Sequence, residues 1–114
     1  MLRICPVAEL PVGEARRVGP PDADPAIAVF HAEDGEFYAI DDTCTHERES
    51  LSEGWLEGCE IKCPLHSSRF DLRTGAVDAP PAVRPVRTHQ VVVQDDVVHV
   101  IPSTDSPNLP HSAT

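Results

Sequence analysis

The chain has 114 residues, a net charge of −10 and an aromatic content of only 4%. These values suit one small domain whose core depends on aliphatic side chains. The sequence has no basic patch for nucleic acid and no run of about 18 apolar residues for a membrane span. Residues 1–15 do not resemble a secretory signal, so we expect a soluble protein in the reducing cytoplasm.

Short β-prone segments, punctuated by 12 prolines and 6 glycines, predict an all-β domain. The strongest local signal is Asp34-Gly35, which predicts a hairpin between two apolar runs. Helical tendency is weak and confined to 50–56, where Gly54 interrupts it. Residues 102–114 read as a flexible tail. In chain order, the predicted strands are 2–5, 14–18, 26–31, 36–40, 59–63, 69–72, 88–93 and 97–101.

Two short motifs carry the chemistry: Cys44-Thr45-His46 and, after sixteen intervening residues, Cys63-Pro64-Leu65-His66. Each motif holds one thiol and one imidazole, whereas a zinc finger usually separates its cysteines from its histidines. One metal can therefore take both thiolates while a second takes both imidazoles. That is the ligand set of a [2Fe–2S] centre with two histidines on one iron. A structural zinc site with the same four ligands is the alternative, and it would be colourless.

The spacing Cys-x-His…Cys-x-x-His resembles the Rieske family. So do the segments after the second motif, Ser67-Ser68-Arg69-Phe70-Asp71 and Thr74-Gly75. The resemblance covers residues 1–101 and implies a Rieske fold. In that fold an antiparallel β-sandwich base carries an inserted cluster-binding subdomain, here about residues 42–82.

The resemblance also implies the role of each ligand in one [2Fe–2S] cluster. Cys44 and Cys63 would bind the inner, buried iron. His46 and His66 would bind the outer iron and leave one ring edge towards solvent, where a partner could dock. Replacing two cysteines by histidines raises the potential from about −400 mV to roughly −150 to +300 mV.

Departures from the high-potential members of the family indicate which kind of centre this is. Glu49 and Leu65 stand where those proteins have a disulfide-forming pair of cysteines, so no bridge can form. Ser68 occupies the position of a hydrogen-bonding serine, but Phe70 replaces the hydrogen-bonding tyrosine. Acidic residues, among them Asp41 and Asp42, also dominate the first loop and its continuation. Fewer hydrogen bonds and more negative charge predict a potential at the low end of the Rieske range.

The remaining candidates are less specific. Cys5 and Cys59 are expected to pack as small apolar residues. Trp55 has two open interpretations, packing within the subdomain or contributing to a docking face. A segment containing Pro80-Pro81 follows the second motif, where the family places a loop against the cluster.

The sequence matches most closely the Rieske ferredoxins of bacterial aromatic-ring hydroxylating dioxygenase systems. This likeness implies a monomeric one-electron carrier, not an enzyme. It would pass electrons from a flavin-dependent ferredoxin reductase to a terminal oxygenase. No nucleotide-binding fingerprint is present, so NAD(P)H is not its direct donor. The alternative is the small Rieske subunit of a multi-subunit enzyme such as a nitrite reductase.

Overall fold

A computed structural model describes residues 1–45, 49–64, 68–77 and 84–108. These residues form β-strands, two single-turn 3-10 helices (Val7–Glu9 and Leu51–Glu53) and no α-helix. The described strands are β1 Leu2–Pro6, β2 Ala15–Val18, β3 Ile27–His31, β4 Phe37–Asp41, β5 Trp55–Glu57, β6 Glu60–Lys62, β7 Arg69–Asp71, β8 Thr88–Gln94 and β9 Val97–Ile101.

Two antiparallel sheets contain these strands. The larger sheet has the order β1-β9-β8-β4-β3-β2, and the smaller has the order β5-β6-β7. The smaller sheet lies between β4 and β8 in sequence, so it is an insertion into the larger one. The all-β class and the antiparallel pairing are confirmed.

Strand β5 differs from the expectation of weak helix across residues 50–56. Only Leu51–Glu53 is helical, as a single turn that Gly54 ends. A Cβ atom at Gly54 would lie 2.0 Å from the carbonyl oxygen of Lys62. The chain therefore approaches β6 so closely at Gly54 that only glycine fits, and it continues as a strand.

Strand β3 separates two buried cores. Ile27 and Val29 belong to the base core, together with Val98 and Val100 of β9. Ala28 and Phe30 belong to a second core that contains both predicted cysteine ligands. Because successive side chains of a strand point to opposite faces, β3 contributes to both cores and separates the base from the inserted subdomain.

The segment after β9 makes hydrogen bonds to β8 and to the residues just before it. The amide of Ser103 donates to Nδ1 of His89 at 2.8 Å, and Arg87 donates to the carbonyl of Asp105 at 2.5 Å. Asn108 Nδ2 donates to the carbonyl of Pro85 at 3.0 Å. Residues 109–114 lie outside the described part of the chain, and the flexibility expected of 102–114 stays a prediction.

Candidate metal centre

Both predicted cysteine ligands lie in the second core. Cys44 and Cys63 are fully buried and belong to the same cluster of side chains as Ile61 and Phe70. None of the four cysteines, all of which are described, forms a disulfide. Two reduced thiols from separate loops, enclosed by apolar side chains, fit a soft metal centre shielded from water.

Backbone contacts close the first ligand loop. Thr43 pairs with Ser50 in an isolated antiparallel bridge, and the amide of Cys44 donates to the carbonyl of Glu49 at 3.0 Å. The amide of Leu51 donates to the carbonyl of Asp42 at 2.7 Å. The two ends of the loop therefore lie side by side, and this pairing fixes the position of Cys44.

The carboxylate of Asp42 holds this loop to the base. One oxygen accepts from Arg17 Nε at 3.0 Å and from the Ser50 hydroxyl at 2.6 Å. The other accepts from the backbone amide of Ser52 at 2.8 Å. Strand β2, which carries Arg17, and the 3-10 turn Leu51–Glu53 are thus joined through one buried side chain.

The second ligand loop connects β6 to β7. The amide of Cys63 donates to the carbonyl of Ser68 at 2.9 Å, which closes the loop at its base. Ser68 and Phe70 are both fully buried. Phe70 lies in the same cluster as the two cysteines, so the position that would carry a tyrosine hydroxyl presents only a phenyl ring.

A third segment, at Arg84, reaches the first loop; the resemblance predicts a loop near the cluster here, but no motif marks Arg84 itself. The Thr45 hydroxyl donates to the carbonyl of Arg84 at 2.8 Å, and Arg84 Nη2 donates to the carbonyl of Thr45 at 3.3 Å. Thr45 lies between the predicted ligands Cys44 and His46 in sequence. The Arg84 guanidinium is therefore fixed beside the first ligand motif.

The acidic charge near the site is partly compensated. Asp41 is buried and accepts from Arg87 Nε and from His89 Nε2, the latter at 2.8 Å. Since Nδ1 of His89 accepts the Ser103 amide, the ring proton resides on Nε2. Asp42 is likewise paired with Arg17. Two of the carboxylates that contribute to the expected low potential therefore have cationic partners.

Several predicted features lie outside the described residues: His46, His66, Leu65 and the proline-bearing segment 78–83. Within the described residues no group of three or more metal-binding side chains occurs. The ligand roles of both histidines remain predictions.

Two further candidates from the sequence, Cys59 and Trp55, differ in how far they are buried. Cys59 is half-buried, packs against the second core, and donates to Asp34 Oδ2 at 3.3 Å. Burial, reinforced by this hydrogen bond to Asp34, raises the pKa of the Cys59 thiol. Trp55 keeps 58% of its surface exposed, so it contributes little to packing of the subdomain.

No helix in the described part of the chain has the length and apolar character needed to cross a membrane.

Two ferredoxins similar to this chain match it over nearly their whole length. The chain is 46% identical over 105 residues to the 3-phenylpropionate/cinnamic acid dioxygenase ferredoxin subunit of Photorhabdus laumondii, covering 91% of this chain and 96% of that protein. A solved ferredoxin in a complex of reduced oxygenase and oxidised ferredoxin of carbazole 1,9a-dioxygenase superposes with a TM-score of 0.81. The two chains are 38% identical, and the superposition covers 88% of this chain and 100% of the solved ferredoxin.

A nitrite reductase small subunit from Mycobacterium tuberculosis superposes with a TM-score of 0.78 over 90% of this chain and 95% of its own, but at 19% identity. That likeness concerns the fold alone. The model of the Rieske [2Fe-2S] domain matches residues 1–90, which include all four predicted ligands. The chain therefore belongs to the Rieske [2Fe-2S] domain family.

Proposed function

We propose that this protein is the ferredoxin component of an aromatic-ring dioxygenase system. It accepts one electron at a time from a flavin-dependent reductase and delivers it to a terminal Rieske oxygenase. The support is its 46% identity to a dioxygenase ferredoxin subunit and its likeness to a ferredoxin solved together with its oxygenase. The protein transforms no substrate itself.

One [2Fe–2S] cluster would supply the one-electron chemistry. Cys44 and Cys63 would hold one iron, and His46 and His66 the other. The observation that carries this assignment is the pair of fully buried, unbridged cysteines in one apolar cluster. Because protein atoms fill all the ligand positions, the centre has no open position for a substrate.

A low reduction potential is part of the proposal. All four cysteines are unbridged, and Phe70 supplies no hydroxyl to the buried core around Cys44 and Cys63. Each hydrogen bond absent from the cluster sulfurs leaves the reduced state less stabilised. Because Asp41 and Asp42 are paired with arginines, their negative charge lowers the potential less than unpaired carboxylates would. The effect of the missing hydrogen bond on the potential is unchanged.

Other parts of the proposal concern how the protein works in the cell. We infer a monomer in the cytoplasm whose contacts with both partners are transient, since a shuttle must leave after each transfer. Residues 42–82 form its cluster-binding subdomain within a domain spanning 1–101. The relative of 46% identity belongs to a 3-phenylpropionate/cinnamic acid dioxygenase, and the oxygenase of that system is the first electron acceptor to test.

The test is reconstitution of electron transfer from purified components. The protein, prepared anaerobically, is expected to absorb visible light and to reduce the oxygenase of the Photorhabdus laumondii system once a reductase has reduced it. A colourless protein containing zinc would contradict the cluster assignment. A coloured protein that co-purifies with a large catalytic subunit and reduces no separate oxygenase would favour the nitrite reductase alternative.

A further inference from the structure

The outer face of the small sheet segregates its charges into two rows. Strand pairing sets residues opposite one another in three rows across β5, β6 and β7. The middle row, Leu56, Ile61 and Phe70, packs into the second core. Side chains alternate along a strand, so the rows on either side both point outward. We name them the cationic row (Trp55, Lys62 and Arg69) and the acidic row (Glu57, Glu60 and Asp71).

The cationic row lies at the end of the sheet nearest the proposed cluster. Lys62 directly precedes Cys63, and Arg69 directly follows Ser68, whose carbonyl closes the second ligand loop. The acidic row lies towards the opposite end. There the turn at Gly58 contacts the base, its amide donating to Glu33 at 3.0 Å.

The cationic row is accessible to a partner in part: Trp55 is exposed, whereas Lys62 and Arg69 are half-buried. Trp55 is 58% exposed, and Lys62 Nζ lies 5.9 Å from the centre of its ring. Lys62 and Arg69 form no ion pair with any residue that the structure describes. In the neighbouring row, by contrast, Asp71 is paired with Arg73 at 3.2 Å. An exposed aromatic ring beside cations that no described carboxylate neutralises has the composition of an interface hot spot.

The charge of the whole chain gives this row its specificity. At a net charge of −10, most of the surface repels a carboxylate-bearing protein. Carboxylates on a partner would be attracted to the cationic row, which lies beside the second ligand loop. Electrostatic complementarity of this kind fixes the orientation in which two proteins meet.

We propose that the cationic row is a docking surface for a carboxylate-bearing patch of the terminal oxygenase. Trp55 enters an apolar recess there, while Lys62 and Arg69 face carboxylates, and the cluster end of the ferredoxin is held against its electron acceptor. This inference rests on the proposed function and adds to it the surface and the partner chemistry.

The experiment compares two variants that change charge equally at different places. Lys62→Glu alters the cationic row, whereas Arg3→Glu alters an exposed cation of β1 that has no ion pair among the described residues. Each pre-reduced protein is mixed with the Photorhabdus laumondii oxygenase in a stopped-flow instrument at low and high ionic strength. Lys62→Glu is expected to lower the second-order rate constant at least about tenfold at low salt. Arg3→Glu should change it by less than about twofold, and high salt should narrow the difference.

A second pair of variants isolates the aromatic contact. Trp55→Ala is expected to slow the reaction about tenfold at both salt concentrations, while Val93→Ala, at another exposed apolar position, leaves it unchanged. The visible spectrum and the potential of every variant are measured first, so that an altered cluster is not mistaken for altered docking. If Lys62→Glu disturbs the cluster, the Trp55→Ala pair decides the question.

Three results would overturn the inference. The variants of the cationic row could behave like their controls, they could react faster with the oxygenase, or they could slow only the reduction of this protein by its reductase. Failure of the proposed function has a different signature. In that case the unaltered protein carries its cluster but reduces no oxygenase, whichever variant is compared.

Discussion

Single residues around the two cysteines determine how well the centre stabilises an added electron. Phe70 is the clearest case, because its ring is fully buried in the cluster of side chains that contains Cys44 and Cys63. Arg84 is a second case, since its guanidinium is fixed to the carbonyl of Thr45. Each makes a prediction about the potential that a single substitution tests.

Phe70→Tyr is expected to raise the reduction potential. A hydroxyl that donates to a sulfur stabilises the reduced cluster, and about 1 kcal/mol of such stabilisation corresponds to about 40 mV for a one-electron couple. Redox titration followed by visible absorption measures the shift. Phe37→Tyr makes the same chemical change beside the base core and should leave the potential unchanged. A potential for Phe70→Tyr equal to that of the unaltered protein would contradict the role given to this position.

Arg84→Gln is expected to lower the potential, because it removes a positive charge that favours the more negative, reduced state. For a partly exposed charge worth about 0.5–1 kcal/mol, the shift is about 20–40 mV. Arg16→Gln, which removes a cation paired with Glu9 at the protein surface, serves as the control. Protein-film voltammetry of both variants gives the comparison, and equal shifts would show that only net charge matters.

At the scale of elements, close backbone contacts place the segments that lie beside the ligand loops. Gly75 has a φ of +79°, and a Cβ atom there would lie 2.0 Å from the carbonyl oxygen of Val86. The amide of Val86 in turn donates to the carbonyl of Gly75 at 2.9 Å. Arg84, which is hydrogen-bonded to Thr45, lies just before this contact.

Gly75→Ala is therefore expected to lower the free energy of unfolding by at least about 3 kcal/mol, combining backbone strain with the clash. Gly13→Ala shares the positive φ, at +91°, but its Cβ would meet nothing within 4 Å. That substitution should cost only about 1 kcal/mol. Urea denaturation of the two variants measures the difference, and equal losses would mean that the contact with Val86 tolerates a methyl group.

Local patterns predicted some elements and could not predict others. The Asp34-Gly35 turn and the valine-rich pair β8 and β9 are encoded by neighbouring residues, and both hairpins appear where expected. Strand β5 is different, since it depends on the approach of Gly54 to Lys62. The contact between Thr45 and Arg84 joins residues 39 positions apart, and no spacing rule announces such a pair.

For the whole molecule, the sequence predicted the family and the two buried cysteines better than it predicted the surface. Cysteine spacing predicted Cys44 and Cys63 as ligands, and the structure brings the two into one core. The net charge of −10 gives no indication of a cationic surface. Only strand register showed that Lys62 and Arg69 stand side by side with Trp55. Register depends on tertiary pairing, so composition could not reveal this local reversal of charge.

Because β3 contributes side chains to both cores, base and metal centre are expected to unfold together. Val29 contacts only the base core, while its neighbours Ala28 and Phe30 contact the core around the cysteines. Val29→Ala should remove about 2 kcal/mol of stability. Visible absorbance and far-UV circular dichroism should then be lost together, at one lowered melting temperature. Loss of the visible signal well before the β-sheet signal would indicate two units that melt independently. A coincident transition means that the protein releases its iron only when the whole β-framework unfolds.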